Sequence, residues 1–265
     1  MLHLVEPGTK VRLADIDPDH TGDFKDKAAA EEKLLRDVEK LPRLQEHLYA
    51  ENTRALLIVL QGMDTSGKDG TIKHVMASVN PTGCVVTSFK VPSEEERDHD
   101  FLWRIHRAAP NRGNIGIFNR SHYEDVLVVR VHELVPSSVW KPRFDQINRF
   151  EELLADNGTR ILKFFLHISK DEQKRRLESR LADPDKNWKF SPSDLAERKH
   201  WDDYQRAYED VLSKCSTAHA PWFVIPANKK WYRNYAVART IVKTLEEMDP
   251  HPPKVKIDVS KILVD

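Results

Sequence analysis

Between Lys27 and about Tyr49 the apolar residues Leu34, Leu35, Val38, Leu41, Leu44 and Leu48 recur at roughly helical spacing. This predicts an amphipathic helix that packs against the core or a second subunit. The pattern then changes. Ala55 to Leu60 reads Ala-Leu-Leu-Ile-Val-Leu, a short continuous apolar run of the kind carried by buried parallel strands. Further short runs lie at Cys84 to Phe89, Ile115 to Phe118, Ile161 to Ile168 and Trp222 to Ile225, with helix-compatible segments between them. Five such strands alternating with helices predict an α/β fold, a parallel sheet covered on both faces. Residues 1 to about 26, rich in Pro, Gly and Asp, read as an extended arm. The chain divides into an arm and helix at 1–53, a main α/β domain at 54–248 and a tail at 249–265.

The first predicted strand runs into Gln61-Gly62-Met63-Asp64-Thr65-Ser66-Gly67-Lys68, followed by a helical stretch to about Val79. This fits the G-x-x-x-x-G-K pattern, with the strand before and helix after that a phosphate-binding loop needs. The glycines let successive backbone N–H groups point inward, and the next helix adds its positive end. Gly62, Ser66, Gly67, Lys68, Asp69 and Gly70 are therefore the candidate phosphate cradle. The pattern usually ends in Ser or Thr, whose hydroxyl helps hold a metal ion, but Asp69 stands there. A metal would need another ligand. Asp64 is the candidate, since a carboxylate beside phosphate is costly unless a cation bridges them. A solvated turn residue is the other reading.

Ile115 to Phe118 leads into Asn119-Arg120-Ser121-His122-Tyr123-Glu124-Asp125. Such strands usually end in an acidic residue near the metal, whereas this one ends in Asn119. Arg120 is placed to grip a phosphate with its planar fork. Glu124 or Asp125, a turn further on, can face the same cleft. Residues 170–200 hold many cations, among them Arg176, Arg180, Lys186 and Lys189, and Asp183-Pro184-Asp185 interrupts their helix. This segment reads as a helix leading into a lid, with Arg176 and Arg180 on one face as phosphate clamps. Lys73 is a further phosphate candidate or a surface lysine. The histidines, His122 included, read as packing or polar residues.

Hydrophobic residues make up 40% and charged residues 32% of the 265, the balance of a globular protein rather than a disordered one. Lys+Arg and Asp+Glu are both 42, which argues against a nucleic-acid binder. No apolar run reaches the length of a membrane span, and Met1 to Lys10 has no signal-peptide core. Cys84 and Cys215 stand far apart with no CxxC pair. A cytoplasmic protein without nucleic-acid or membrane partners is expected. The loop by itself leaves open a kinase that uses ATP on a small molecule and a non-catalytic phosphate binder.

Three segments narrow this. Gly62 to Gly70, Phe118 to Val126, and Pro226-Ala227-Asn228-Lys229-Lys230-Trp231-Tyr232-Arg233-Asn234 resemble the type-2 polyphosphate kinases, over about residues 30–248. The resemblance implies a thymidylate-kinase-like P-loop fold, a three-layer sandwich with a helical lid. It implies phosphoryl transfer between inorganic polyphosphate and AMP or ADP, other nucleotides being further candidates. It implies Mg2+, with Mn2+ as the alternative, and a homo-oligomer. Carried across, Asp64 binds metal, Lys68 and Arg120 bind phosphate, and Arg176 and Arg180 lead into the lid. Many family members have Asp-Arg-Ser-Trp-Tyr-Asn where this chain has Asn119 to Glu124. The version here resembles the class III branch, which accepts both AMP and ADP and in which Glu124 would stand near the acceptor phosphate or its metal.

Overall fold

Every residue of the strand Ala55–Gln61 is buried, as the apolar run Ala55 to Leu60 requires. The structure, a computed structural model, describes residues 3–185 and 187–254. The expected cation Lys186, the Lys189 side chain and residues 255–265 of the expected tail lie outside what is described.

The strands are β1 (His3–Val5), β2 (Ala55–Gln61), β3 (Cys84–Ser88), β4 (Ile115–Asn119), β5 (Thr159–His167) and β6 (Trp222–Pro226). They form one sheet in the order β1-β6-β5-β2-β4-β3. The five expected strands are present and mutually parallel. A sixth, β1, pairs antiparallel with β6 through His3↔Val224 and Val5↔Trp222. The arm is thus partly a strand, a correction to the five-stranded reading. Three residues are too few to show a period of two, so nothing in the pattern marked them. The sheet is also less covered than expected. At its far edge β3 leaves Val85 and Val86 about half exposed.

Alternate residues of the central strands face opposite layers. Ile58, Leu60 and Ile117 pack with Val75, Val237 and Ile241 on one face. On the other face Lys163, in register with Val59, reaches Glu151 of the helix Arg143–Asp156. The predicted first helix is α1 (Lys27–Glu51), begun by the Asp26 side chain accepting from the Ala29 N–H. It packs along the helix Lys230–Met248. Pro42 lies inside α1 and has no N–H for the Val38 carbonyl one turn earlier. The Ser78 hydroxyl donates to that carbonyl instead, at 3.1 Å.

The register Leu60↔Asn119, Gln61↔Phe165 and His167↔Pro226 brings the carboxyl ends of four parallel strands to one rim. Open α/β sheets bind ligands outside such an edge. No helix among the described residues is long and apolar enough to cross a membrane.

Candidate active site

Leaving β2, the chain turns through Gly62, Thr65 and Gly67, all at positive φ, and enters α2 (Lys68–Val75). Two of these positions need glycine. A Cβ on Gly62 would come within 2.8 Å of the Leu166 carbonyl oxygen, and one on Gly67 within 1.8 Å of Arg233 Nη1. No side chain caps the start of α2, so its first N–H groups face the loop's interior. Lys68 is 8% exposed and folds back across the loop, donating to the Gly62 carbonyl at 2.7 Å. Burial, and then Arg120, push its ammonium down to about 8, against the pull of Asp64, Glu124 and Asp69.

Arg120 follows β4 in the left-handed region, at φ 62°. Its Nη2 donates to Asp64 Oδ1 at 2.7 Å and its Nη1 to Glu124 Oε2 at 3.3 Å. One planar fork therefore joins the carboxylate of the P-loop to the carboxylate of the turn after β4. Glu124 and Asp64, opposing the effect of burial, raise the guanidinium further above its ordinary value. Asp125 turns elsewhere and pairs with Arg143 at 3.0 Å. Of the two acidic candidates on this turn, Glu124 is the one at the site.

Asp69 and Asn119 both depart from the common P-loop pattern, and they are partners. Asn119 Nδ2 donates to Asp69 Oδ1 at 2.6 Å, tying the start of α2 to the end of β4. Lys73 is exposed on α2. Arg176 stands behind the loop. Its Nε donates to Glu172, its Nη1 to the Thr65 and Ser66 carbonyls, and its Nη2 to the Ala227 and Asn228 carbonyls. These acceptors match all its N–H groups. Arg180 pairs with Asp194 at 3.2 Å, joining the helix Lys170–Ala182 to the helix Pro192–Lys199 in the segment expected to form a lid. Burial and the negative charge of Asp64 raise the Asp194 carboxyl, so this helix lies within electrostatic reach of the loop.

Among the described residues no group of three or more His, Cys, Asp or Glu forms a ready-made metal cage. The candidate donors are two carboxylates, Asp64 and Glu124, joined by Arg120. Glu124 Oε1 is buried with no hydrogen-bond partner, as are Thr65 Oγ1 and Ser66 Oγ on the loop. Few protein oxygens plus substrate phosphates and water is how Mg2+ is usually held, so the residues fit a hard divalent cation.

The family described as Polyphosphate kinase 2 matches residues 24–253. This chain belongs to the polyphosphate kinase 2 family. It is 52% identical over 262 residues to the AMP/ADP-polyphosphate phosphotransferase of Meiothermus ruber, covering 98% of each chain. It is 48% identical over 243 residues to the ADP-polyphosphate phosphotransferase of Rhodopseudomonas palustris, covering 87% of this chain and 84% of that protein. The crystal structure of polyphosphate kinase 2 from Arthrobacter aurescens TC1 matches 97% of this chain and 92% of its own, with a TM-score of 0.93 at 45% identity. The P-loop kinase class expected from the sequence is the fold of this polyphosphate kinase 2.

Reading the sequence missed the foundation beneath Arg120 and Glu124. His122 and Tyr123 are fully buried. The Tyr123 hydroxyl donates to Glu151 Oε1 at 2.8 Å, and His122 Nε2 lies 3.0 Å from the same oxygen. Lys163 Nζ donates to Glu151 Oε2 at 2.5 Å, to the Tyr123 hydroxyl at 2.8 Å and to the Cys215 carbonyl at 2.6 Å. Burial alone would raise the Glu151 carboxyl, but Lys163 and His122 hold it below its ordinary value. The signal was a lysine inside the apolar run Ile161 to Ile168, since a charge on a buried strand requires a counter-charge.

Proposed function

We propose that this polyphosphate kinase 2 moves the terminal phosphoryl group of inorganic polyphosphate to AMP or ADP, giving ADP or ATP. The observation that carries the reading is Arg120, which bridges the P-loop carboxylate Asp64 and the Glu124 carboxylate beside a buried Lys68. Charges of both signs, held by rigid strand ends, are what phosphoryl transfer needs, because positioning and electrostatics supply most of its rate. The names of the Meiothermus ruber and Rhodopseudomonas palustris relatives support the substrates.

In this reading the loop N–H groups of Gly62 to Gly70 and the Lys68 ammonium seat phosphate oxygens. A phosphate oxygen of the acceptor nucleotide attacks the end phosphorus in line, forming one P–O bond as the bond to the remaining polyphosphate breaks. The attacking oxygen is already anionic, so no strong general base is required. Arg120 offsets the charge gathering on the transferred group. A divalent cation, Mg2+ by the oxygen-only donor set, would be held by Asp64 and Glu124 and would neutralise phosphate charge there. Arg176 braces the loop through its carbonyls. Arg180 fixes the lid to its helix.

The acceptor nucleoside is assigned to a cavity of about 490 Å3 beside the β4 exit, lined by Phe89, Lys90, Trp103 and Arg104 among others. The β3 register Ser88↔Asn119 supports this, since it sets Ser88 of the cavity wall beside Asn119, the residue before Arg120.

The test supplies AMP, and separately ADP, with polyphosphate and no ATP, and follows nucleotide products by chromatography. Formation of ADP and ATP supports the reading. Product only when ATP is the donor would replace it with an ATP-dependent kinase.

A further inference from the structure

Arg233 lies in the first turns of the helix Lys230–Met248 and is 2% exposed. It sits directly behind the P-loop. Its Nη1 donates to the Ser66 carbonyl at 3.2 Å, and a Cβ on Gly70 would meet its Nη2 at 3.3 Å. Its Nε and Nη2 donate to the Asn234 side-chain oxygen at 3.2 and 2.8 Å. Both acceptors are neutral. Neighbouring Arg176 has Glu172 at 2.6 Å, but no carboxylate among the described residues pairs with Arg233. Burial, and then the positive charge of Arg176, push its guanidinium down to about 9.

A buried cation without a counter-charge is costly, and this one stands near the positive end of α2, which adds to the repulsion. If the position only had to be filled, an apolar side chain of similar volume would be the more stable choice. Arginine there needs another reason. The other side of the loop is built from Lys68, Ser66 and the uncapped N–H groups of α2, a surface for anions.

We infer that Arg233 is a positioning residue whose counter-charge is the polyphosphate anion held on the opposite side of the P-loop. It fixes the Ser66–Gly67 backbone from behind and strengthens the positive field at the loop. The inference rests on the P-loop being the phosphate seat. Unit charges on the order of 10 Å apart, at an effective dielectric constant of about 20, interact strongly enough to change affinity by about tenfold.

The test measures tripolyphosphate binding, in the presence of Mg2+, and thermal denaturation for the wild type, Lys68→Ala, Arg233→Gln and Arg233→Lys. The wild type binds and Lys68→Ala loses affinity if the loop is the seat. Arg233→Gln is expected to unfold at or above the wild-type temperature without ligand while its affinity falls by about tenfold or more. Arg233→Lys keeps the charge and is expected to retain most of the affinity. The proposal is overturned if Arg233→Gln binds like the wild type, or if Arg233→Lys loses as much affinity as Arg233→Gln. It is also overturned if Arg233→Gln fails to fold or unfolds at a lower temperature, since the residue would then serve packing. Equal binding by the wild type and Lys68→Ala would remove the phosphate seat itself, and the inference with it.

Discussion

Replacing Lys163 by Met removes the one lysine or arginine that pairs with Glu151 among the described residues, where both side chains are fully buried. His122 and Tyr123 remain beside the carboxylate as hydrogen-bond partners. Breaking such a pair from one side costs about 3–5 kcal/mol, because the other charge stays buried. For a domain of this size each kcal/mol lowers the melting temperature by about 2–4 °C, so Lys163→Met should melt about 6–20 °C below the wild type. The double variant Lys163→Met/Glu151→Leu has no stranded charge and should recover part of the loss. It does not recover all of it, because the Tyr123 hydroxyl and the Cys215 carbonyl each lose a partner, at about 1–3 kcal/mol apiece. Urea denaturation of both single variants and the double gives the coupling, expected at about 1–3 kcal/mol. The polyphosphate-driven rate of the double variant should stay low despite its regained stability, because His122 and Tyr123 no longer hold the turn that carries Glu124. Additive losses, or a Lys163→Met protein that melts with the wild type, would refute the network as the foundation of the site.

Three further outcomes follow from the geometry. Glu124→Gln should raise the Mg2+ concentration for half-maximal rate by about 10–100-fold, read from initial rates across a metal titration, while the fold by circular dichroism is unchanged. Because the free protein holds the Lys68 ammonium at about 8, its cationic form prevails below that pH and is lost above it. The kcat/KM for polyphosphate should therefore fall as pH rises through about 8, and kcat should fall later because bound phosphate holds the proton on Lys68. Gly67→Ala must place a side chain at φ 101° and displace Arg233, so about 1–2 kcal/mol of backbone strain should lower the melting temperature, and the shifted loop should lower kcat/KM for polyphosphate by roughly tenfold.

Continuous apolar runs located the four inner parallel strands, because a strand buried on both faces holds few polar residues, and the same signal located β3 although it is an edge strand with Val85 and Val86 half exposed. β1 escaped notice for the opposite reason. It is three residues long and draws its partner, β6, from more than two hundred positions away. The P-loop was legible because glycine and lysine recur there at a fixed spacing for a chemical reason. Roles that depend on what lies opposite were not. Asp69 and Asn119 looked like two separate departures, yet they hydrogen-bond to each other. The four-residue spacing of Arg176 and Arg180 suggested paired clamps. Only tertiary contacts direct Arg176 to the loop carbonyls and Arg180 to Asp194. Arg233 lies in a segment whose resemblance was clear, but its burial behind Gly67 is a matter of packing between distant elements.

The most direct measurement of the central claim is the initial rate of ADP formation from AMP and polyphosphate, without ATP, by the wild type and Lys68→Ala. Both proteins would first be matched for folding by circular dichroism. The account predicts a steady wild-type rate and a loss of roughly 10³-fold in the variant, the scale on which a transition-state cation acts in phosphoryl transfer. A folded Lys68→Ala protein that makes ADP as fast as the wild type would contradict it.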